Sequence, residues 1–156
     1  MNIQGGNGWP SSALSNFAGH GFWFDGIDCA SMEGFLQSLK FDKPHIQVEV
    51  CKLVGKAAKF RGKARNKAWR QAQTLWWKGC PIGRHSPEYK RLLWQAYCSM
   101  YKQSDGFQAA LNATKGMKLT HSIGSSDPSY TVLTEREFCG ILTRLRDKGV
   151  DSEGDL

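Results

Sequence analysis

The sequence predicts an α+β fold, mainly α, in one compact domain with a small β-sheet. Three observations lead there. The chain has 156 residues, 40% hydrophobic and 22% charged. That is enough to bury roughly 68–70% of the surface exposed on unfolding, and the composition is too ordinary for disorder or a coiled coil. Apolar residues recur at helical spacing in segment after segment, whereas one short stretch has the look of a hairpin.

Residues 1–13, where Gly and Ser cluster, are expected to be a flexible lead-in. Gly21 to Ile27 (GFWFDGI) reads as a strand, an Asp25-Gly26 turn and the start of a return strand. In the next segment Met32, Phe35, Leu36 and Leu39 fall at i, i+3, i+4 and i+7, a helical stripe. Ser31 is its N-cap, and Glu33 sits in the first turn, where the helix dipole favours a carboxylate. A second helix is expected from His45 to Lys59, opened by Pro44, with Ile46, Val50, Leu53, Val54 and Ala57 inward. A basic stretch continues as a further helix through Gln73. Ser86-Pro87-Glu88 opens a longer one with Tyr89, Leu92, Leu93, Tyr97, Met100 and Tyr101 on one face. Asp105 starts a short helix ending near Thr114. Thr134 and Glu137 form a capping-box sequence ahead of Phe138, Ile141, Leu142 and Leu145. The domain is thus expected over 14–148, followed by an acidic tail at 149–156.

Several classes are excluded. No apolar run approaches the ~18 residues needed to cross a bilayer, and the amino terminus has neither a basic start nor an apolar core of the signal-peptide kind. A cytoplasmic protein without a membrane partner is expected. Cys29, Cys51, Cys80, Cys98 and Cys139 lie far apart with no C-x-x-C pair, and His20, His45, His85 and His121 are equally scattered. Neither a disulfide framework nor a metal site fits such spacing, so no metal or cofactor is expected.

Charge is more informative. The net charge is +7, yet Lys52 to Arg91 holds twelve basic residues against one acid, a local net of +11. That asymmetry is the footprint of a polyanionic partner, nucleic acid or a phosphate-rich small molecule. Trp69, Trp76 and Trp77 lie in the same segment, where aromatics either stack on nucleobases or belong to the core.

Ser15-Asn16-Phe17, then Asp25-Gly26, then Ser31-Met32-Glu33-Gly34-Phe35-Leu36-Gln37-Ser38-Leu39-Lys40-Phe41 together resemble the YbiA-like, or NADAR, family. Ala57-Ala58, Leu111 to Thr114, Lys118-Leu119, Asp127 and Gly140 to Arg146 extend the resemblance over Leu14 to Arg146. Two departures mark a divergent branch. Gly34 stands where the family commonly has histidine, and the tryptophan-rich middle leaves open which of Trp69, Trp76 and Trp77 replaces the family's tryptophan. The resemblance implies a hydrolase that cleaves N-glycosidic bonds. Members remove ADP-ribose from ADP-ribosylated guanine in DNA or RNA, as antitoxins or counter-defence factors. Others resemble enzymes that hydrolyse ribosylamino intermediates of riboflavin synthesis.

Breaking a ribosyl–nitrogen bond develops positive charge at the sugar C1. Glu33, Gln37 and Lys40 sit at i, i+4 and i+7 and project to one side of a helix. With the resemblance, Glu33 becomes the acid/base candidate and Gln37 a residue that orients it or a ribose hydroxyl. Lys40 is either a nucleophile that forms a Schiff base with ring-opened ribose or a phosphate-binding lysine. Asp127, in a turn, is the third catalytic candidate. Asn16 and Phe17 are expected to shape the ribose or base pocket, and Lys56, Lys59 and Arg61 to meet diphosphate or nucleic acid. Phe22 and Trp23 are candidates to stack on adenine, against the alternative that a strand aromatic is core. The expected partner is ADP-ribosylated nucleic acid or an ADP-ribose-like small molecule. The other readings are hydrolysis of a phosphorylated ribosylamine, a non-catalytic ADP-ribose or nucleic-acid binding module, and a generic single-strand binder.

Overall fold

Helix α6 (Pro87–Gln103) organises the core. Ser86 caps it by accepting from the Tyr89 N–H at 3.3 Å, and Pro87 opens its first turn. Its buried face carries Tyr89, Leu92, Leu93, Trp94, Tyr97 and Met100, and it packs against five other elements. A computed structural model describes residues 1–150; the rest of the expected acidic tail, 151–156, lies outside the described residues.

In chain order the other elements are α1 (Ser11–Leu14), β1 (Phe22–Phe24), β2 (Ile27–Cys29), α2 (Met32–Ser38), α3 (Pro44–Cys51), α4 (Gly55–Lys63) and α5 (Asn66–Ala72). Then come β3 (Thr74–Trp77), β4 (Cys80–Gly83), α6, α7 (Asp105–Asn112) and α8 (Glu135–Lys148). The fold is α+β, and its sheet content among the described residues is two separate antiparallel hairpins, β1–β2 and β3–β4. Asp25 and Gly26 take positive φ in the first turn, and the register pairs Phe22 with Cys29 and Phe24 with Ile27. The expected capping box opens α8: Thr134 Oγ1 accepts from Glu137 N at 3.1 Å while Glu137 Oε1 accepts from Thr134 N at 2.8 Å. Among the described residues, no helix is long and apolar enough to cross a membrane.

Three features depart from these expectations or add to them. The helix expected from His45 to Lys59 is two helices, broken between Cys51 and Gly55. Carbonyls at the end of α3 and in the loop after it are taken by the entrance to α2: Ser31 Oγ donates to Leu53 O at 2.9 Å and Ala30 N to Cys51 O at 2.8 Å. Gly55, at φ +57°, then sets α4 on a new course over the Phe17 ring. Leu53 and Val54 are therefore only partly covered, with Val54 41% exposed. Second, Thr74 to Gly83 forms a hairpin whose turn, Lys78-Gly79, has positive φ at both residues. Leu75 and Trp77 point inward from it. Third, residues 1–13 are fastened rather than loose. Ile3 is fully buried, and Ile3 N and Thr120 N exchange backbone bonds with Thr120 O and Met1 O at 2.8 and 2.9 Å.

Candidate active site

Helix α2 is buried on every side, unlike the half-exposed helix its stripe suggests. Its polar residues are as enclosed as its apolar ones: Glu33 is 9% exposed, Gln37 6% and Lys40 6%. The helix ends by tightening, with Leu39, Lys40 and Phe41 N–H groups each bonding three residues back. That turn brings Lys40 to the same cavity as Glu33 and Gln37. The cavity holds about 880 Å³, within the usual range for ligand pockets.

Its floor is α2. Asn16 and Phe17 border one side, and the backbone carbonyl of Asn16 accepts from Glu33 N at 3.1 Å. Tyr97, itself buried, donates its hydroxyl to Asn16 Oδ1 at 2.7 Å and so fixes that side chain. Lys59 and Lys63 of α4 and Asn66, Trp69 and Arg70 of α5 form a basic wall. Residues between His121 and Leu133 complete the lining.

Gln37 Nε2 donates to Glu33 Oε1 at 2.8 Å, leaving Gln37 Oε1 buried with no partner among the described residues. A Cβ on Gly62 would stand 1.8 Å from that oxygen, so α4 needs glycine there to accommodate the amide. An amide in this position serves either state of its neighbour. It donates to the carboxylate in this orientation, and turned over it accepts from the carboxylic acid. Burial raises the Glu33 pKa, against the opposing pull of Gln37, Lys40, Lys59 and His121. Burial likewise pushes the Lys40 amine down to about 8; Glu33 opposes this, and Arg70 and Lys59 add to it. Each group is thus moved toward its neutral form, as expected where burial outweighs a nearby opposite charge.

The segment from His121 to Leu133 is held from two sides. Arg70 Nε donates to Tyr130 O at 2.9 Å and stacks 3.6 Å from the Tyr130 ring centroid, while Gln73 Nε2 donates to Ser129 O at 2.9 Å. Behind it Arg84, only 2% exposed, donates to Thr131 O at 2.9 Å and to both oxygens of Glu137 at 3.2 and 2.7 Å. Tyr89 donates its hydroxyl to Val132 O. Burial alone would raise Glu137, yet the Arg84 and Thr134 bonds hold it below the usual carboxylate range. Its folded pKa being depressed, the pair's stabilisation is present above the ordinary carboxylate pKa and is lost as pH falls through the folded value. Replacing Arg84 with Met strands a part-buried carboxylate and is expected to cost about 3 kcal/mol in urea unfolding at neutral pH. The difference should narrow on acidification, and a pH-independent loss would mean that packing alone accounts for it.

The structure gathers Asn16, Phe17, Glu33, Gln37, Lys40 and Lys59 around the cavity. Four expected site residues are not among its lining. Trp23 is 62% exposed on the outer face of β1, its backbone N–H and C=O both bonded to the Gln103 side chain. Arg61 turns away to stack 5.1 Å from the Phe41 ring centroid and approaches Glu49 at 3.9 Å. Lys56 is exposed on α4 outside the cavity. Asp127 is exposed, its carboxylate accepting from Ser129 N at 2.9 Å within its own turn. Phe22, by contrast, is core. Of the three tryptophans, Trp69 is the one at the cavity. Lys63, Asn66, Arg70, His121 and Tyr130 also line it and carry no sequence signal that singles them out. Their approach depends on α4, α5 and the 121–133 segment closing over α2.

A family model described as Bacteriophage protein GP30.3 matches residues 8–147. A relative from Enterobacteria phage T4, described as an uncharacterized 17.1 kDa protein in the Gp30-rIII intergenic region, is 42% identical over 148 residues. The match covers 94% of this chain and 97% of that protein. The NMR structure of the E. coli protein YbiA superposes with a TM-score of 0.64 at 18% identity, covering 100% of this chain and 88% of YbiA. The shared feature there is the fold.

Proposed function

Since the chain belongs to the Bacteriophage protein GP30.3 family and has a YbiA-like fold, we propose that it is an N-glycosidase that removes ADP-ribose from ADP-ribosylated guanine in nucleic acid. One observation carries the reading: an amine and a carboxyl, Lys40 and Glu33, are enclosed in one cavity beside a wall of cations. Burying two ionisable groups is costly for folding, and such pairs are characteristic of sites that move protons or form covalent intermediates. A role in counter-defence would suit a family with a phage relative.

The chemistry follows from the pair. Opening the ribose ring breaks the C1–O4 bond and leaves C1 doubly bonded to the guanine nitrogen, whose proton passes to O4. The neutral Lys40 amine adds to C1, forming a C1–Nζ bond. The C1–N bond to guanine breaks as that nitrogen takes a proton from Glu33 and leaves as a neutral amine. Water, deprotonated by the Glu33 carboxylate, then adds to the Lys40 imine and releases the C1 aldehyde of ADP-ribose. Lysine and acid are both restored. Gln37 follows the Glu33 proton, and Lys59, Lys63 and Arg70 supply positive charge for the diphosphate.

Incubation with a guanine-ADP-ribosylated DNA oligonucleotide, reading free ADP-ribose and restored guanine, tests this directly. Consumption of a phosphorylated ribosylamine instead would move the reaction to a small metabolite. Tight ADP-ribose binding without turnover would leave a binding module. A pH profile of kcat/KM is expected to climb through the raised Glu33 value, level off, and fall above about 8, where Lys40 titrates. A profile flat across pH 8 would remove Lys40 from the reacting pair.

A further inference from the structure

Helix α4 buries only small residues and turns its basic ones outward. Gly55, Ala58 and Gly62 are buried. Lys56, Lys59, Phe60 and Lys63 fall at i, i+3, i+4 and i+7, a single stripe on the helix. All four are exposed, Phe60 to 79%. Lys59 and Lys63 border the cavity, while Lys56 and Phe60 lie outside it, so the stripe runs from the cavity out onto the surface. None of these three lysines forms an ion pair among the described residues. Arg61, by contrast, is occupied with Phe41.

A lone exposed apolar residue is ordinary. Here the phenyl ring stands among unpaired lysines on a stripe that leads into a site, within the +11 segment. Cations flanking an aromatic ring are what a single strand requires: ammonium groups for its phosphates and a flat face for an unpaired base. A duplex hides its base faces. An anionic membrane would need a broader apolar face than one residue supplies, and an acidic protein surface would leave the ring without a flat partner.

We infer that this stripe of α4 is a docking ridge for single-stranded nucleic acid. Phe60 stacks on an unpaired base and Lys56 contacts the backbone, with the strand entering the cavity past Lys59 and Lys63. The inference rests on the reading of the substrate as a modified base within nucleic acid, and it adds where the flanking nucleotides lie.

Fluorescence anisotropy of a short unmodified single-stranded DNA, titrated with the full chain at several salt concentrations, reads the ridge without turnover. Wild-type affinity is expected to fall with salt at a log–log slope of about −2, from about −0.7 for each of three lysine contacts. Phe60→Ala should weaken binding about tenfold with the slope unchanged. Lys56→Ala should reduce the steepness of the slope by about 0.7. Phe60 is exposed, so an unchanged unfolding midpoint verifies that the variant folds. Equal binding by wild type and Phe60→Ala would overturn the ridge, as would equal affinity for a duplex of the same sequence or a preference for phosphatidylserine vesicles. The two readings fail separately. Ridge-dependent binding without release of ADP-ribose from modified DNA leaves the ridge and removes the glycosidase; release without single-strand binding does the reverse.

Discussion

Lys40→Ala is expected to abolish release of ADP-ribose, and Glu33→Gln to lower kcat by about 10²–10⁴-fold, the range for loss of a positioned acid or base. Borohydride added during turnover should fix ADP-ribose to the Lys40 peptide of the wild type, detected by mass, and to nothing in Lys40→Ala. This trap reads which form of the amine reacts, whereas the pH profile reads only the pair. Misfolding is separable from lost chemistry because the stability change has the opposite sign. The folded Lys40 pKa is about 8 against an ordinary 10.5. The unfolded chain therefore binds more protons than the folded one between those values, and stability contributed by this group rises with pH through that window. At neutral pH its burial costs about 3 kcal/mol by that shift. Lys40→Met should recover part of this, giving a protein that is inactive yet more resistant to urea. Retained turnover in Lys40→Ala would end the covalent mechanism. Loss of turnover together with a large drop in stability would reassign Lys40 to the fold.

Gly34→Ala is expected to destabilise the protein by about 3 kcal/mol or more, lowering the thermal midpoint by about 10 °C. A Cβ there would stand 2.5 Å from Leu53 O, 2.9 Å from Cys51 O and 3.0 Å from Val50 O. All three are backbone atoms of the end of α3 and the loop after it, and Ser31 and Ala30 hold two of them in place. No flexible side chain is available to yield. Histidine, which the NADAR pattern places at this position, is larger still, and Gly34→His should not fold. The departure from that pattern is thus tied to how closely α3 approaches α2. Gly140→Ala in α8 is the control, since its Cβ would meet nothing within 4 Å. It should be neutral or gain up to about 1 kcal/mol. A wild-type midpoint for Gly34→Ala would mean that the α3 end shifts without penalty.

Much of the fold was legible because the signals are local. Ser31, Ser86 and Thr134 are caps that act within one turn. Asp25-Gly26 supplies the positive φ that its hairpin needs. The β3–β4 hairpin carries no such local signal: Lys78-Gly79 lacks the usual Asn or Asp, and its tryptophans sit amid lysines and arginines. The break after Cys51 carries none either. The segment has helical periodicity on both sides, and what interrupts it is the start of α2, more than ten residues earlier in the chain.

For the site the division runs the same way. Glu33, Gln37 and Lys40 could be placed together from spacing alone, since i, i+4 and i+7 share a side on any helix. Whether that side faced solvent or an enclosed cavity depended on Gly62 admitting the Gln37 amide and on Arg84 and Arg70 holding the wall from Ser129 to Val132. The sequence by itself determined helices α2, α6, α7 and α8, the first hairpin, the basic character of residues 52–91 and the alignment of three polar residues. Only the tertiary structure decided their burial, the shifts in Glu33 and Lys40, and the separation of Trp23, Arg61 and Asp127 from the cavity lining. The reason is physical: caps, turns and periodicity are settled between neighbours in the chain, whereas desolvation depends on which distant segments exclude water from the same space.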